Sequence, residues 1–166
     1  MTPWQGLGLS AANGNGANCN SVMVWRRQAI SLQFIKRDVA AMGPTLFEQL
    51  GEERIATLVD RFYDLVFAHP QISHLFKTDK ELIKEKQRLF LTQFLGGPAS
   101  YSQRYGHPQL RARHMPHPIG QEDAVAWLSC MAKAIGTLDA EEALKDELFK
   151  RFVPTAMFMV NEEDGQ

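Results

Sequence analysis

From Thr45 onward, apolar residues recur at intervals of three and four, and no useful stretch alternates apolar with polar residues. That pattern confines the chain to helical folds, because positions three and four apart share a helix face whereas every second position shares a strand face. Ile55, Leu58, Val59, Phe62, Leu65 and Val66 mark the apolar face of a first helix, which His69-Pro70 ends. A second helix is predicted over about Asp79–Leu95, with Leu82, Ile83, Leu89, Phe90 and Phe94 inward, and Gly96-Gly97-Pro98 stops it. Residues 96–120 read as a Gly- and Pro-rich connection with a short helical turn around Gln109–His114. A third helix is predicted over about Gln121–Gly136, with Ala124, Trp127, Leu128, Met131, Ala134 and Ile135 on one stripe. Asp139 is placed to cap a fourth helix running to about Asn161, with Leu144, Leu148, Phe152, Ala156 and Val160 on its face and Pro154 kinking it. The expected fold class is therefore all-α, in one domain spanning residues 45–166.

Residues 1–44 have a different character. QGLGLSAANGNGANCN (residues 5–20) is small and polar and offers little to bury, which reads as disorder. Its glycines fit no GxGxxG phosphate loop in register, and no strand precedes them. Residues 22–37 are basic and apolar, and the whole segment holds Arg26, Arg27, Lys36 and Arg37 against the single acid Asp38. Such a composition suits an organelle transit peptide. A surface-bound amphipathic anchor would have a cleaner polar face. The simpler reading is a start codon placed too early, with Met42 as the natural start, because MGPTLFEQLG has the character of a domain opening. The expected location is the cytoplasm, with organelle import through residues 1–41 as the alternative.

Bulk properties exclude several function classes. With 18 basic and 19 acidic side chains the net charge is −1, a balance that argues against a dedicated nucleic-acid binder. No run of about 20 apolar residues exists, so no membrane span is expected. Cys19 and Cys130 are the only cysteines and lie far apart; they do not form a disulfide framework, and a reducing compartment fits them better.

Motifs exclude further chemistries. Glu-x-x-His is absent, which removes the usual di-iron bundle. Cys-x-x-Cys-His, a Walker A loop, Gly-x-Ser-x-Gly and His-Glu-x-x-His are absent as well. Of the five histidines, His69, His107 and His117 each precede proline, which pushes them toward extended conformation and away from the body of a helix. His74 lies between the first two long helices, and His114 closes the run Leu110-Arg-Ala-Arg-His114. Either could offer a neutral imidazole to an iron. Arg111 and Arg113 could pair with carboxylates, or could simply form a solvated face with His114 on the surface. A second set consists of polar groups on apolar helical faces: Tyr63 after Phe62, Gln87 between Ile83 and Leu91, and Trp127 on the third helix. Buried, each needs a hydrogen-bond partner, which could be a small polar ligand or a neighbour in an ordinary core.

The stretch LGGPASYSQRYGHPQLRARHMPHPI at positions 95–119, with RFYDLVF on the first helix and AWLSCM on the third, resembles the truncated haemoglobins, specifically group II. The resemblance runs from about Thr45 to Asn161. It implies a globin-like two-over-two helical sandwich around one haem b. It places His114 as the proximal iron ligand, and Tyr63, Gln87 and Trp127 as distal hydrogen-bonding residues, Trp127 being the mark of group II. Phe76 corresponds to an aromatic that packs on the haem, Ile83 to a distal gate one turn before Gln87, and Lys86 and Arg113 to positions that reach the haem propionates. The Gly96-Gly97 pair matches a glycine turn of the fold.

Two positions depart from the family pattern. Ile83 is apolar and cannot donate a hydrogen bond, so ligand stabilisation would rest on the other three. His117 stands where phenylalanine is common and adds a second imidazole near the proximal side. The implied function is binding of dioxygen and other diatomic ligands at ferrous iron, with roles in storage, transport or sensing. The alternative is a haem enzyme for nitric oxide oxidation or peroxide reduction, served by a separate electron donor or reductase. A globin-like helical domain acting through protein contacts without haem is the third reading. The oligomeric state is left open.

Overall fold

Thr45 opens the first helix with a reciprocal cap: its hydroxyl accepts from the Glu48 amide at 3.1 Å, and the Glu48 carboxylate accepts from the Thr45 amide at 2.8 Å. Two of the orphan amides of a helix start are satisfied in this way. The structure is a computed structural model that describes residues 43–77 and 79–162; the readings made for residues 1–42 fall outside the described residues. It contains α1 (Leu46–Ala68), a 3-10 turn (Ser73–Leu75), α2 (Lys80–Phe94), α3 (Ser100–Tyr105), α4 (Leu110–His114), α5 (Gln121–Gly136) and α6 (Glu142–Met159), and no strand among the described residues.

Gly51 breaks α1 near its start with φ +76° and ψ 164°, a conformation that a residue with a Cβ rarely adopts. The long part of the helix then buries Ile55, Leu58, Val59, Phe62, Tyr63 and Val66. α1 packs on α2, α5 packs on α6, and α1 also packs on α5. These contacts make two helix pairs joined into the two-over-two sandwich. Leu58, Met131, Ala134 and Leu148 are fully enclosed at its centre. Phe62 links the layers, with its ring 5.1 Å from Tyr63 and 4.9 Å from Trp127.

α2 departs from its expected face. Leu82 is 40% exposed and Leu89 is half-buried outside the core, whereas Lys84 is buried. Two stripes run along this helix, and neither holds Leu82. Lys80, Lys84 and Arg88 face α1, and Ile83, Gln87, Phe90 and Phe94 face the interior. Leu82 sits two residues from Lys84, roughly 200° round the helix from the α1 contact. Lys84 is buried because its ammonium reaches the Asp60 carboxylate at 3.1 Å while its stem packs along the seam.

Asp60 also accepts from Arg88 at 2.7 Å, and Asp64 accepts from Lys80 at 2.9 Å, so the α1–α2 seam carries a ladder of ion pairs. Burial alone would lift the Asp60 carboxyl, but hydrogen bonds and charges from Lys84 and Arg88 outweigh it and hold the group below its ordinary range. A carboxyl depressed on folding adds stability that is complete above the unfolded pKa, about 3.9 for aspartate. That stability is lost as pH falls through the folded value. Because Asp60 is partly solvated, Asp60→Asn is expected to lower Tm at pH 7 by only about 1–4 °C. The gap should narrow as pH falls below about 4. Melting curves of both proteins from pH 7 to pH 3 check this, and a gap independent of pH would contradict it.

Two local expectations are corrected. The connection after α2 contains a helix that the periodicity did not reveal, α3. Six residues are too few to form a helix without tertiary support, and α3 obtains it from Gln93. The Gln93 amide donates to the Ser102 hydroxyl at 2.8 Å and its oxygen accepts from the Ser102 amide at 2.9 Å. Asp139 does not cap α6. The helix begins at Glu142 after Glu141, two residues later than expected, and the Asp139 carbonyl instead accepts from Arg54 Nε at 2.7 Å. α6 continues through Pro154 to Met159; the carbonyl that Pro154 cannot bond belongs to Lys150, an exposed residue.

Gly97 marks a close approach. A Cβ there would lie 2.6 Å from the Phe47 ring and 2.7 Å from the Thr92 carbonyl oxygen. Gly97→Ala is expected to destabilise the domain by about 1–3 kcal/mol, the usual cost of forcing atoms into a packed contact. Urea unfolding checks it, and an unchanged midpoint would show that the α1 start moves aside freely.

Candidate functional site

A cavity of about 370 Å³ opens between the two helix pairs, a size in the range of small-molecule and cofactor sites. It draws on elements far apart in the chain. α1 contributes Tyr63, α2 contributes Ile83 and Gln87, α4 contributes Arg113 and His114, α5 contributes Trp127, and Phe76 comes from the segment after the 3-10 turn. Phe90, Phe94, Leu110 and Phe152 complete an apolar wall. All but one of the residues that the resemblance assigned to the site are therefore brought together. The exception is Lys86, whose ammonium lies 5.4 Å over the Tyr105 ring and does not line the cavity.

The histidines are sorted by position. His74 is exposed in the 3-10 turn and does not line the cavity. His114 is half-buried on the wall, at the last residue of α4. Its Nδ1 lies 2.7 Å from the Leu110 carbonyl oxygen. A carbonyl can only accept, so Nδ1 carries the proton, and Nε2 is left with its lone pair free for a metal. This arrangement is how a metal-binding imidazole is normally held in one tautomer and orientation. His117 reaches the rim of the same cavity, exposed and outside any helix, which agrees with the conformational bias of a residue before proline.

Three polar groups line the same cavity. Tyr63 is only 3% exposed, and its burial pushes the hydroxyl far above the ordinary tyrosine range. It therefore stays protonated, and a hydrogen-bond donor, throughout the physiological range. Gln87 and Trp127 are half-buried. Among the described residues, no protein group pairs with the Tyr63 hydroxyl, the Gln87 amide or the Trp127 indole N–H. Three polar groups without a protein partner that line one cavity suit a polar ligand. The aromatic rings hold them in place: Phe62 packs between Tyr63 and Trp127, Phe76 lies 6.1 Å from Tyr63, and Phe152 lies 6.0 Å from Trp127.

Sequence reasoning missed Lys77, Asp123, Thr155 and Met159, which also line the cavity. Thr155 and Met159 continue the α6 stripe of Leu148, Phe152 and Ala156, so helical spacing could have found them. Lys77 lies in irregular chain, where no period exists to read. The two arginines of the α4 run part company. Arg113 is exposed at the cavity, whereas Arg111 turns away to the end of α6.

The donor set fits a flat, largely apolar iron cofactor with carboxylate substituents. The cavity offers the His114 imidazole with a second one, His117, at its rim, aromatic and aliphatic walls, the cations Arg113 and Lys77 at exposed positions, and one acid, Asp123. Comparison with known proteins gives the same answer. The family described as bacterial-like globin matches residues 45–161. The group 2 truncated hemoglobin YjbI of Bacillus subtilis is 45% identical over 120 residues, which are 72% of this chain and 91% of that protein. The crystal structure of the group II truncated hemoglobin from Bacillus anthracis superposes with a TM-score of 0.71 at 43% identity, covering 74% of this chain and 95% of that one. The truncated oxygen-avid haemoglobin from Bacillus subtilis gives 0.68 at 46% identity, covering 71% of this chain and all of that one (100%).

Proposed function

The chain belongs to the bacterial-like globin family, as a truncated haemoglobin of group II, and from that premise we propose that it holds one haem b through His114 and retains dioxygen tightly with Tyr63, Gln87 and Trp127. The observation that carries this reading is the hydrogen bond from His114 Nδ1 to the Leu110 carbonyl, in a histidine that lines the same cavity as the three donors. When bound, haem supplies the iron at which a diatomic gas coordinates and becomes polarised. The chain does the rest. His114 anchors the group, Phe76 and the apolar wall exclude water, and Arg113 with Lys77 neutralises the cofactor's carboxylates. Ile83 adds bulk beside Gln87 without adding a donor.

Tyr63, Gln87 and Trp127 favour a ligand whose outer atom carries partial negative charge. Each net hydrogen bond contributes about 0.5–1.5 kcal/mol. Two or three together slow ligand release by about ten- to several-hundred-fold, at roughly 1.4 kcal/mol per decade. Such retention suits avid binding better than delivery, and one relative of 46% identity is itself described as oxygen-avid.

The test is an absorption spectrum of the purified chain loaded with haem, first reduced and then under carbon monoxide. A stoichiometric haem complex whose main band moves sharply on adding carbon monoxide is expected. A chain that takes up no haem, or a band indifferent to carbon monoxide, would overturn the reading.

A further inference from the structure

α4 carries His114 but has little means of holding itself in place. It is five residues long, shorter than a helix that is stable alone. It begins after Gln109, which sits at φ +45° and ψ 46° without a side-chain cap. That left-handed conformation is unfavourable for a residue with a Cβ. The position of α4 must therefore be imposed from outside, and its helix neighbour is α6.

The contact is made by the residues that end α6. Asn161, just beyond the helix, donates from Nδ2 to the His114 carbonyl at 3.0 Å and to the His117 carbonyl at 2.9 Å. Its Oδ1 accepts from the Ile119 amide at 3.0 Å, and its own backbone amide donates to the Ile119 carbonyl at 3.0 Å. Both amide protons and the amide oxygen are engaged at once, which also fixes which way the side chain points. From the other side, Arg111 of α4 donates to the carbonyls of Phe158 and Val160, the latter at 3.2 Å, and lies 5.0 Å over the Phe158 ring. A guanidinium at the end of α6 satisfies orphan carbonyls and meets the negative end of the helix dipole.

We infer that Asn161 is a positioning residue that, together with Arg111, clasps the His114 segment to the end of α6 and so sets the strength of the bond between His114 and the haem iron. The inference rests on the reading of His114 as the iron ligand. The His114 residue is gripped at two points, its ring through the Leu110 carbonyl and its backbone through Asn161. Loss of the second grip lets α4 shift while the ring keeps its tautomer.

The test uses the full chain loaded with haem. Asn161→Asp keeps an oxygen for the Ile119 amide, loses both donors and sets a charge against two carbonyls. Asn161→Ala removes every side-chain bond and leaves nothing that could obstruct folding. Transfer of haem from the ferric protein to excess apomyoglobin is expected to quicken about tenfold for both variants, roughly 1.4 kcal/mol. The iron–histidine stretching band of the ferrous, ligand-free protein should move or broaden in resonance Raman spectra. A lower melting temperature with an unmoved band would show a merely structural role and overturn the inference. His114→Ala is run in parallel. If it loses the band while both Asn161 variants keep the wild-type band and a transfer rate within twofold, the clasp alone fails. If His114→Ala keeps the band, the ligand assignment fails and takes the clasp with it.

Discussion

His114→Ala is expected to lower haem affinity by at least about a hundredfold, because loss of a group that merely orients a metal ligand already costs about 10–100-fold. The helical fold should survive, since His114 is half-buried at the end of a five-residue helix and lies outside the main hydrophobic core. Added imidazole should restore part of the ferrous spectrum by occupying the same space. His74→Ala is the control and should behave as wild type, because His74 is exposed and away from the cavity. Haem titration of the two variants checks both statements. Wild-type affinity in His114→Ala, with loss in His74→Ala, would reverse the assignment.

The second large effect concerns ligand release. Trp127→Phe keeps a ring of the right kind and removes the only donor that the indole has. Oxygen dissociation should quicken about tenfold, the result of losing one hydrogen bond of roughly 1.4 kcal/mol. Tyr63→Phe and Gln87→Leu should also change the rate. Tyr63 and Trp127 both pack on Phe62, and residues in one network rarely act additively. The double variant Tyr63→Phe/Trp127→Phe should therefore depart from the product of the single effects. Stopped-flow dissociation of oxygen from the three single variants and the double variant measures this directly. If all four release oxygen within twofold of wild type, the donors do not hold the ligand, and retention must come from the apolar bulk of Ile83.

Much of the helical framework was legible in the sequence because long helices repeat their pattern several times. Gln121–Gly136 begins and ends where the periodicity placed it, and Ile55, Leu58, Val59, Phe62 and Val66 are buried as the first stripe required. Asp79 caps α2 by accepting from the Leu82 amide at 3.0 Å. Shorter or mixed elements were not legible. α3 has too few residues to show a period, and Leu82, read as inward, is exposed because α2 turns Lys84 toward its partner Asp60 on another helix.

The sequence by itself determined the all-helical class, the order of the four long helices, and, through the stretch at positions 95–119, the family the chain resembles. These are local or repeated properties, readable from spacing and from residue types. Only the tertiary structure decided which polar groups converge. Tyr63, Gln87, His114 and Trp127 are separated by up to 64 positions and meet only because α1, α2, α4 and α5 enclose one cavity. It also decided that Lys77 lines that cavity while Lys86 does not, and that Arg111 and Asn161 tie the His114 segment to the end of α6. The physical reason is the same throughout: a side chain's helix face is set by its neighbours in sequence, but its partner is set by whichever distant element packing brings within about 3 Å.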